Sequence, residues 1–349
     1  MKVPLPLLAP MSTDDKAPMD QLSAHLDRAW DLVGKGDLAG ARLSAERSLE
    51  VDPEAPEVHN LLGYVSALDG SPEEAVEHYK KAIELDESFV EAMLNAAEVY
   101  LHPLQAWDEV IAIVEDALDW IVEDEELADA LLLELDAYLG KGDRDGAARV
   151  VARLPKGPFQ LPQLTFGVGR AHFEVGDVDT AERLITQAAE QDPTSSDAQY
   201  YLGLIAEHRG DTRAMAIAFL RARDAELRAR GTRAEIATAD FEARVQSAIR
   251  SLSEPLAHTL EGALVIVCDL PGAEVVAEGV DPRIPLLLDD VSEEGEPPRA
   301  GRAFIYQRNV ERVTGPSPDE AESELIRALT DEILRVFPEL ANDPASAPN

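Results

Sequence analysis

Five short stretches decide the fold: GDLAGA at 36–41, GSPEEA at 70–75, GDRDGA at 142–147, GDVDTA at 176–181 and GDTRAM at 210–215. The step from Gly36 to Gly70 is the step from Gly142 to Gly176 and from Gly176 to Gly210; only the interval from Gly70 to Gly142 is longer, by about one further step, and it holds a divergent copy. A fixed period of this length marks a repeat architecture, in which each unit buries its apolar face against the next. Around each turn, apolar and small residues recur at i, i+3, i+4 and i+7, which predicts two amphipathic helices per unit. In the second unit Leu62, Gly63 and Ser66 precede the turn, and Ala75, Tyr79, Ala82 and Ile83 follow it. Gly63 and Ala75 let two antiparallel helices approach closely, while Tyr79 and Ile83 fill the space between units. Pro53 and Pro193 stand at one and the same distance beyond Gly36 and Gly176, and each ends the second helix of its unit.

These residues resemble the tetratricopeptide repeat, a 34-residue helix-turn-helix unit. Its small-residue pattern is matched by Ala29, Ala41 and Pro53, by Gly63, Ala75 and Ala82, and by Ala181 and Pro193. Six units follow, at about 22–55, 56–89, 90–127, 128–161, 162–195 and 196–230. The third departs from the pattern, with His102-Pro103 where a helix should end and no Gly-Asp turn. The resemblance implies a mainly α fold: a right-handed helical-hairpin solenoid over 22–230, preceded by a flexible segment at 1–21. It also implies a concave face, lined by the first helices, that binds extended peptides or helices. By position that face receives Asn60 and Tyr64 from the second unit, Asn95 and Glu98 from the third, and Asp136 from the fourth. Phe166, Arg170 and Phe173 from the fifth and Tyr200 from the sixth complete it. Aromatics and amides suit a groove that binds backbone amides and a few anchor side chains. The family's basic carboxylate-clamp pattern is not matched.

After Arg230 the period stops, and residues 231–349 contain no lysine. Here the sequence predicts a small α+β domain over 231–341 and a disordered tail at 342–349. The expected elements are a helix near 238–252, a strand from Ala263 to Leu270, an acidic loop DDVSEEGEPPRAG, a strand FIYQR at 304–308, and a helix from Ser317 to Phe337. FEARVQSAIRSL from Phe241, ALVIVCDLP and AFIYQRNV resemble a compact bacterial zincin-like metallopeptidase domain. Active members carry His-Glu-x-x-His on the last helix, where two imidazoles bind zinc and the glutamate polarises water. The aligned residues here are Asp331-Glu332-Ile333-Leu334-Arg335, so both ligand positions are lost. The resemblance therefore implies a catalytically silent relative with no metal, cofactor or catalytic residue; the alternative is an ordinary α+β cap. Asp331 and Arg335 are expected to pair at i,i+4, and His258 to lie in a turn after the first helix without a partner at ligand spacing.

Composition narrows the function classes. With 31 Lys+Arg against 68 Asp+Glu and a net charge of -37, the chain repels phosphate backbones and anionic membranes, and a charged partner should be basic. The charge divides into -24 over 1–230 and -13 over 231–349. Its densest part, Ala82 to Gly140, holds 17 acids and no Lys or Arg. Those acids must face water, a basic partner, or the Arg-rich stretch 209–250. The single cysteine, Cys268, reads as a buried thiol in a reducing compartment. MKVPLPLLAP is too short and too proline-broken for a signal or membrane segment, which favours the cytoplasm. There is no Gly-rich phosphate loop, Gly-x-Ser-x-Gly elbow or Cys-x-x-Cys.

The leading expectation is a non-enzymatic scaffold or adaptor that binds a basic or amphipathic segment of another protein in an acidic groove. A client-specific chaperone or inhibitor is the alternative. A zinc metallopeptidase recruited by the solenoid, using Glu332, is the reading from a different class.

Overall fold

A computed structural model describes residues 13–229, 235–293, 295–315 and 317–342. The chain falls into two compact units, Met1–Leu184 and Ile185–Asn349.

The first unit is a run of helical hairpins: α1 (Thr13–Val33) with α2 (Leu38–Val51), α3 (Pro56–Leu68) with α4 (Pro72–Leu85), α5 (Val90–Leu101) with α6 (Trp107–Ala117), and α7 (Asp124–Gly140) with α8 (Arg144–Val151). Helix α9 (Pro162–Glu174) follows, and α10 (Val178–Gln191) runs across the division between the units. The recurring Gly-Asp pair has a local cause. Gly36, Gly70, Gly142 and Gly176 all sit at φ between 71° and 86°, where a Cβ is strained. The next residue caps the following helix: Asp37 accepts from the Gly40 amide at 2.9 Å, and Asp143 from the Gly146 amide at 2.8 Å. Each such cap stabilises its helix by about 1 kcal/mol.

Packing follows the small-large alternation. Ala29, Ala41, Ala75, Ala82 and Tyr79 are buried, and a Cβ added to Gly63 would stand 2.7 Å from the Tyr79 ring. The divergent third unit is still a hairpin. Its helix ends at Leu101, and Gln105 at φ 49° takes the left-handed position that glycine holds elsewhere. Helix α7 starts at Asp124, inside the span expected for the third unit, so that unit is shorter and the fourth begins earlier. Helix α1 starts at Thr13, so residues 13–21 of the segment expected to be flexible are helical; residues 1–12 lie outside the described part.

The second unit contains the hairpin α11 (Ser196–His208) and α12 (Thr212–Arg228), then α13 (Thr238–Ser251), α14 (Glu254–Thr259), β1 (Leu264–Cys268), α15 (Ala273–Ala277), β2 (Leu286–Val291), β3 (Ala300–Tyr306), α16 (Gln307–Thr314), α17 (Pro318–Val336) and a 3-10 turn, Pro338–Asn342. The sheet order is β1-β3-β2, with β1 parallel and β2 antiparallel to β3. Leu286, Leu288, Ala303 and Ile305 point from the sheet into a core with Phe241, Val245, Leu325, Leu329 and Ile333 of α13 and α17.

Four expectations need correction here. Both ends of the acidic stretch are strand: Asp289, Asp290 and Val291 end β2, because Leu286 and Leu288 bury one face of it, and Ala300 and Gly301 open β3. Gln307 and Arg308 open α16 instead of extending a strand, and His258 lies on α14. Cys268 is half-buried, since β1 is an edge strand, and burial pushes its thiol upward. Of the expected tail, residues 343–349 lie outside the described part.

Candidate functional site

In the first unit the first helices α1, α3, α5, α7 and α9 neighbour one another in series. Residues about one period apart on them meet across the helix pairs. Trp30 and Tyr64 stand with ring centroids 5.4 Å apart, and Trp30 keeps 40% of its surface exposed. Asn60 is buried, donates through Nδ2 to Glu91 at 3.0 Å, and accepts from Asn95 Nδ2 at 3.0 Å. Arg170 Nη2 pairs with Asp136 at 2.8 Å, both partly buried. Glu98 is exposed on the same series. Phe166 and Phe173 are partly buried on α9. Tyr200 lies on α11, in the second unit.

The structure thus joins Asn60 to Asn95 and Asp136 to Arg170. The spacing that placed Tyr64 also reaches Trp30, one period upstream, and Glu98, one period downstream; a strict period would have found Trp30. Glu91 was hidden because its role depends on reaching back to Asn60 across the hairpin.

Acids dominate the middle of this face. Asp129, at the start of α7, is held above the usual carboxylate range by partial desolvation and then by Glu125, Glu98 and Glu126. Nearby carboxylates disfavour the charged form of Asp129. The acidic stretch is not left wholly to solvent. Lys141 pairs with Asp108, and Arg153 Nη1 reaches Glu115 at 2.7 Å and Glu134 at 3.2 Å. Those cations lie just downstream of the stretch, about one repeat along. Glu134 is almost completely buried, and that burial pushes its carboxyl up to about 7 against the pull of Arg153.

On α17, Arg327 bonds Asp331 at 2.9 Å and Arg335 bonds Glu332 at 2.7 Å. The expected Asp331–Arg335 pair is replaced by these two, because the arginine reaches the i-3 carboxylate on its own side of the helix. Among the described residues no group of three or more His, Cys, Asp or Glu could hold a metal ion. Nor is any described helix long and apolar enough to cross a membrane. His258 pairs with Glu261 at 2.9 Å, both largely exposed.

A tetratricopeptide repeat model matches residues 26–88 and 168–230. A search of curated proteins returns no match. Among solved structures, pilF of Pseudomonas aeruginosa is similar at 14% identity with a TM-score of 0.50, covering 61% of this chain and 95% of that one. PilW, described as a widely conserved type IV pilus biogenesis factor, is 16% identical with a TM-score of 0.49, covering 60% and 95%. YrrB, described as a tetratricopeptide repeat protein with an unusual peptide-binding site, is 21% identical with a TM-score of 0.40, covering 53% and 93%. With the hairpins, the repeat glycines and their aspartate caps in place, the match to the repeat model shows tetratricopeptide repeats over those two stretches.

Proposed function

We propose that the first unit is a non-enzymatic protein-binding module that takes an extended segment with basic side chains along the face of α1, α3, α5, α7 and α9. The observation that carries this reading is the sequence of groups on that face. An aromatic pair (Trp30, Tyr64) is followed by linked amides (Asn60, Asn95) and then by crowded acids (Glu98, Glu125, Glu126, Asp129), where partial desolvation and then the neighbouring carboxylates raise Asp129. Aromatics supply anchors and amides bond a peptide backbone; a cation set among the acids relieves their repulsion. The ion pair of Asp136 with Arg170 is of the kind a basic side chain of a partner would make on this face. The α+β segment we read as a metal-free relative of the zincin-like domain, with Asp331 and Arg335 in place of ligands. A net charge of -37 keeps the chain off nucleic acid and anionic membranes and favours a basic protein partner in the cytoplasm.

Titrating a labelled, unstructured Arg-rich peptide into the full chain tests this. Affinity should fall about tenfold between low and physiological salt, and fall further in Trp30→Ala and in Glu98→Gln. A peptide that binds equally at both salt concentrations, or equally to both variants and the wild type, refutes the reading.

A further inference from the structure

The connection between β1 and β2 is packed against the hairpin α11–α12. Its anchor is Val276, fully buried, and the apolar cluster it enters is the hairpin's own: Ala206, Met215 and Phe219, flanked by Tyr200, Leu204 and Leu220. Val276 is not part of the cluster between the sheet and helices α13 and α17.

Around this anchor the contacts are polar. The Tyr200 hydroxyl donates to Asp281 Oδ2 at 2.9 Å. The Arg283 guanidinium lies 4.1 Å from the centre of the Tyr200 ring and pairs with Asp197. Arg223 donates to the Pro271 carbonyl, and Arg312 pairs with Glu226 at 2.8 Å. On the sheet side, Asn309 Nδ2 donates to the carbonyls of Pro282 and Ile284, each at 2.8 Å.

Tyr200 follows Phe166 by one period, and Leu204 follows Arg170 by the same step. Asp281 and Arg283 therefore stand on the part of a first helix that corresponds to the proposed partner face of the other unit, while α15 itself packs on the second helix, α12. It presents what a peptide ligand would present: one aliphatic anchor, an arginine over a tyrosine ring, and a carboxylate for the hydroxyl.

We propose that Ala273–Arg283 is a built-in ligand of the α11–α12 hairpin, anchored in the hairpin's apolar cluster by Val276, occupying partner-type positions through Asp281 and Arg283, and leaving by an opening short of global unfolding. The hairpin is then closed to other segments until the clasp opens. The name given to that face rests on the partner face proposed for the first unit, whereas the exchange test below reads the second unit alone, so the two can fail separately.

Hydrogen exchange of the full chain, read by mass spectrometry, is the primary test, with fluorescence anisotropy of a labelled peptide covering residues 271–286 as the second. Fragments spanning 273–283 and α11 should exchange about tenfold faster than those of β3. The Val276→Ala/Arg283→Ala double variant should capture the peptide at about tenfold lower concentration than the wild type. Exchange of the segment and α11 no faster than β3 overturns the proposal, because the segment is then ordinary core. Equal capture by wild type and variant, or capture by neither, overturns it as well. Should the double variant lose its helical circular dichroism, Tyr200→Phe replaces it: loss of the hydroxyl alone should speed exchange of 273–283 relative to β3, and unchanged exchange counts against the clasp.

Discussion

Glu134→Gln should stabilise the first unit at alkaline pH and leave it nearly unchanged at acid pH. Glu134 is about 1% exposed on α7, and burial raises its carboxyl to about 7 from an ordinary value of 4.5 although Arg153 lies 3.2 Å away. A carboxyl raised in the folded state binds more protons there than in the unfolded chain. Its contribution is therefore fully present below about 4.5 and is lost as the pH rises through about 7. A displacement of that size corresponds to about 3 kcal/mol between the two limits. Glutamine keeps the shape and a hydrogen-bond acceptor for Arg153 but cannot ionise, and Arg153 retains Glu115 at 2.7 Å. The assay is urea unfolding followed by tryptophan emission. All three tryptophans, Trp30, Trp107 and Trp120, lie in the first unit, so the signal reports that unit. From pH 4.5 to pH 8 the variant should gain about 3 kcal/mol on the wild type, which is about 1 M in the urea midpoint. If the two pH profiles run parallel, the buried carboxylate is not the group that titrates and the argument fails.

Two further outcomes follow from the same geometry. His59 and His78 face each other with Nδ1 atoms 3.4 Å apart, and burial holds both below the ordinary histidine range. The folded unit then binds fewer protons than the unfolded chain, so its stability should fall as the pH drops through about 6.5; the His59→Gln/His78→Gln variant should lose that slope in the tryptophan-detected unfolding. In the second unit, a Cβ at Gly203 would stand 2.2 Å from the Phe219 ring. Gly203→Ala should destabilise the α11–α12 hairpin by about 1–3 kcal/mol, seen as faster amide exchange there, with partial recovery in Gly203→Ala/Phe219→Leu; unaltered exchange in the single variant contradicts the close approach.

The hairpins were legible because their causes are local. A glycine at positive φ, an aspartate cap and a small-large pair such as Gly63 and Tyr79 act within one unit, and a constant period repeats them until the pattern is unmistakable. Even the third unit obeys this logic, with Gln105 taking the strained position without a glycine to signal it. The α+β segment was read less well. β2 carries Asp289 and Asp290 at its end and looked like loop, because what makes it a strand is pairing with β3 and burial of Leu286 and Leu288, both non-local.

The candidate site divides in the same way. The resemblance to the repeat led to the expectation that Tyr64, Glu98, Asp136 and Arg170 share one face; the period itself links only Tyr64 with Glu98 and Asp136 with Arg170, since the divergent third unit lengthens the step between the two pairs. It could not say which of these side chains would already be engaged. That Asn60 is buried between Glu91 and Asn95, that Arg153 serves two carboxylates, and that Tyr200 lies under Arg283 depends on which residues distant in sequence come within bonding reach. The hairpin repeat and the acidic character of the chain follow from residue order alone, because both are sums over local choices. Which charges are neutralised follows from the folded arrangement, because ion pairing and burial are set by contacts between side chains far apart in sequence, such as Arg153 with Glu134 and Arg283 with Asp197.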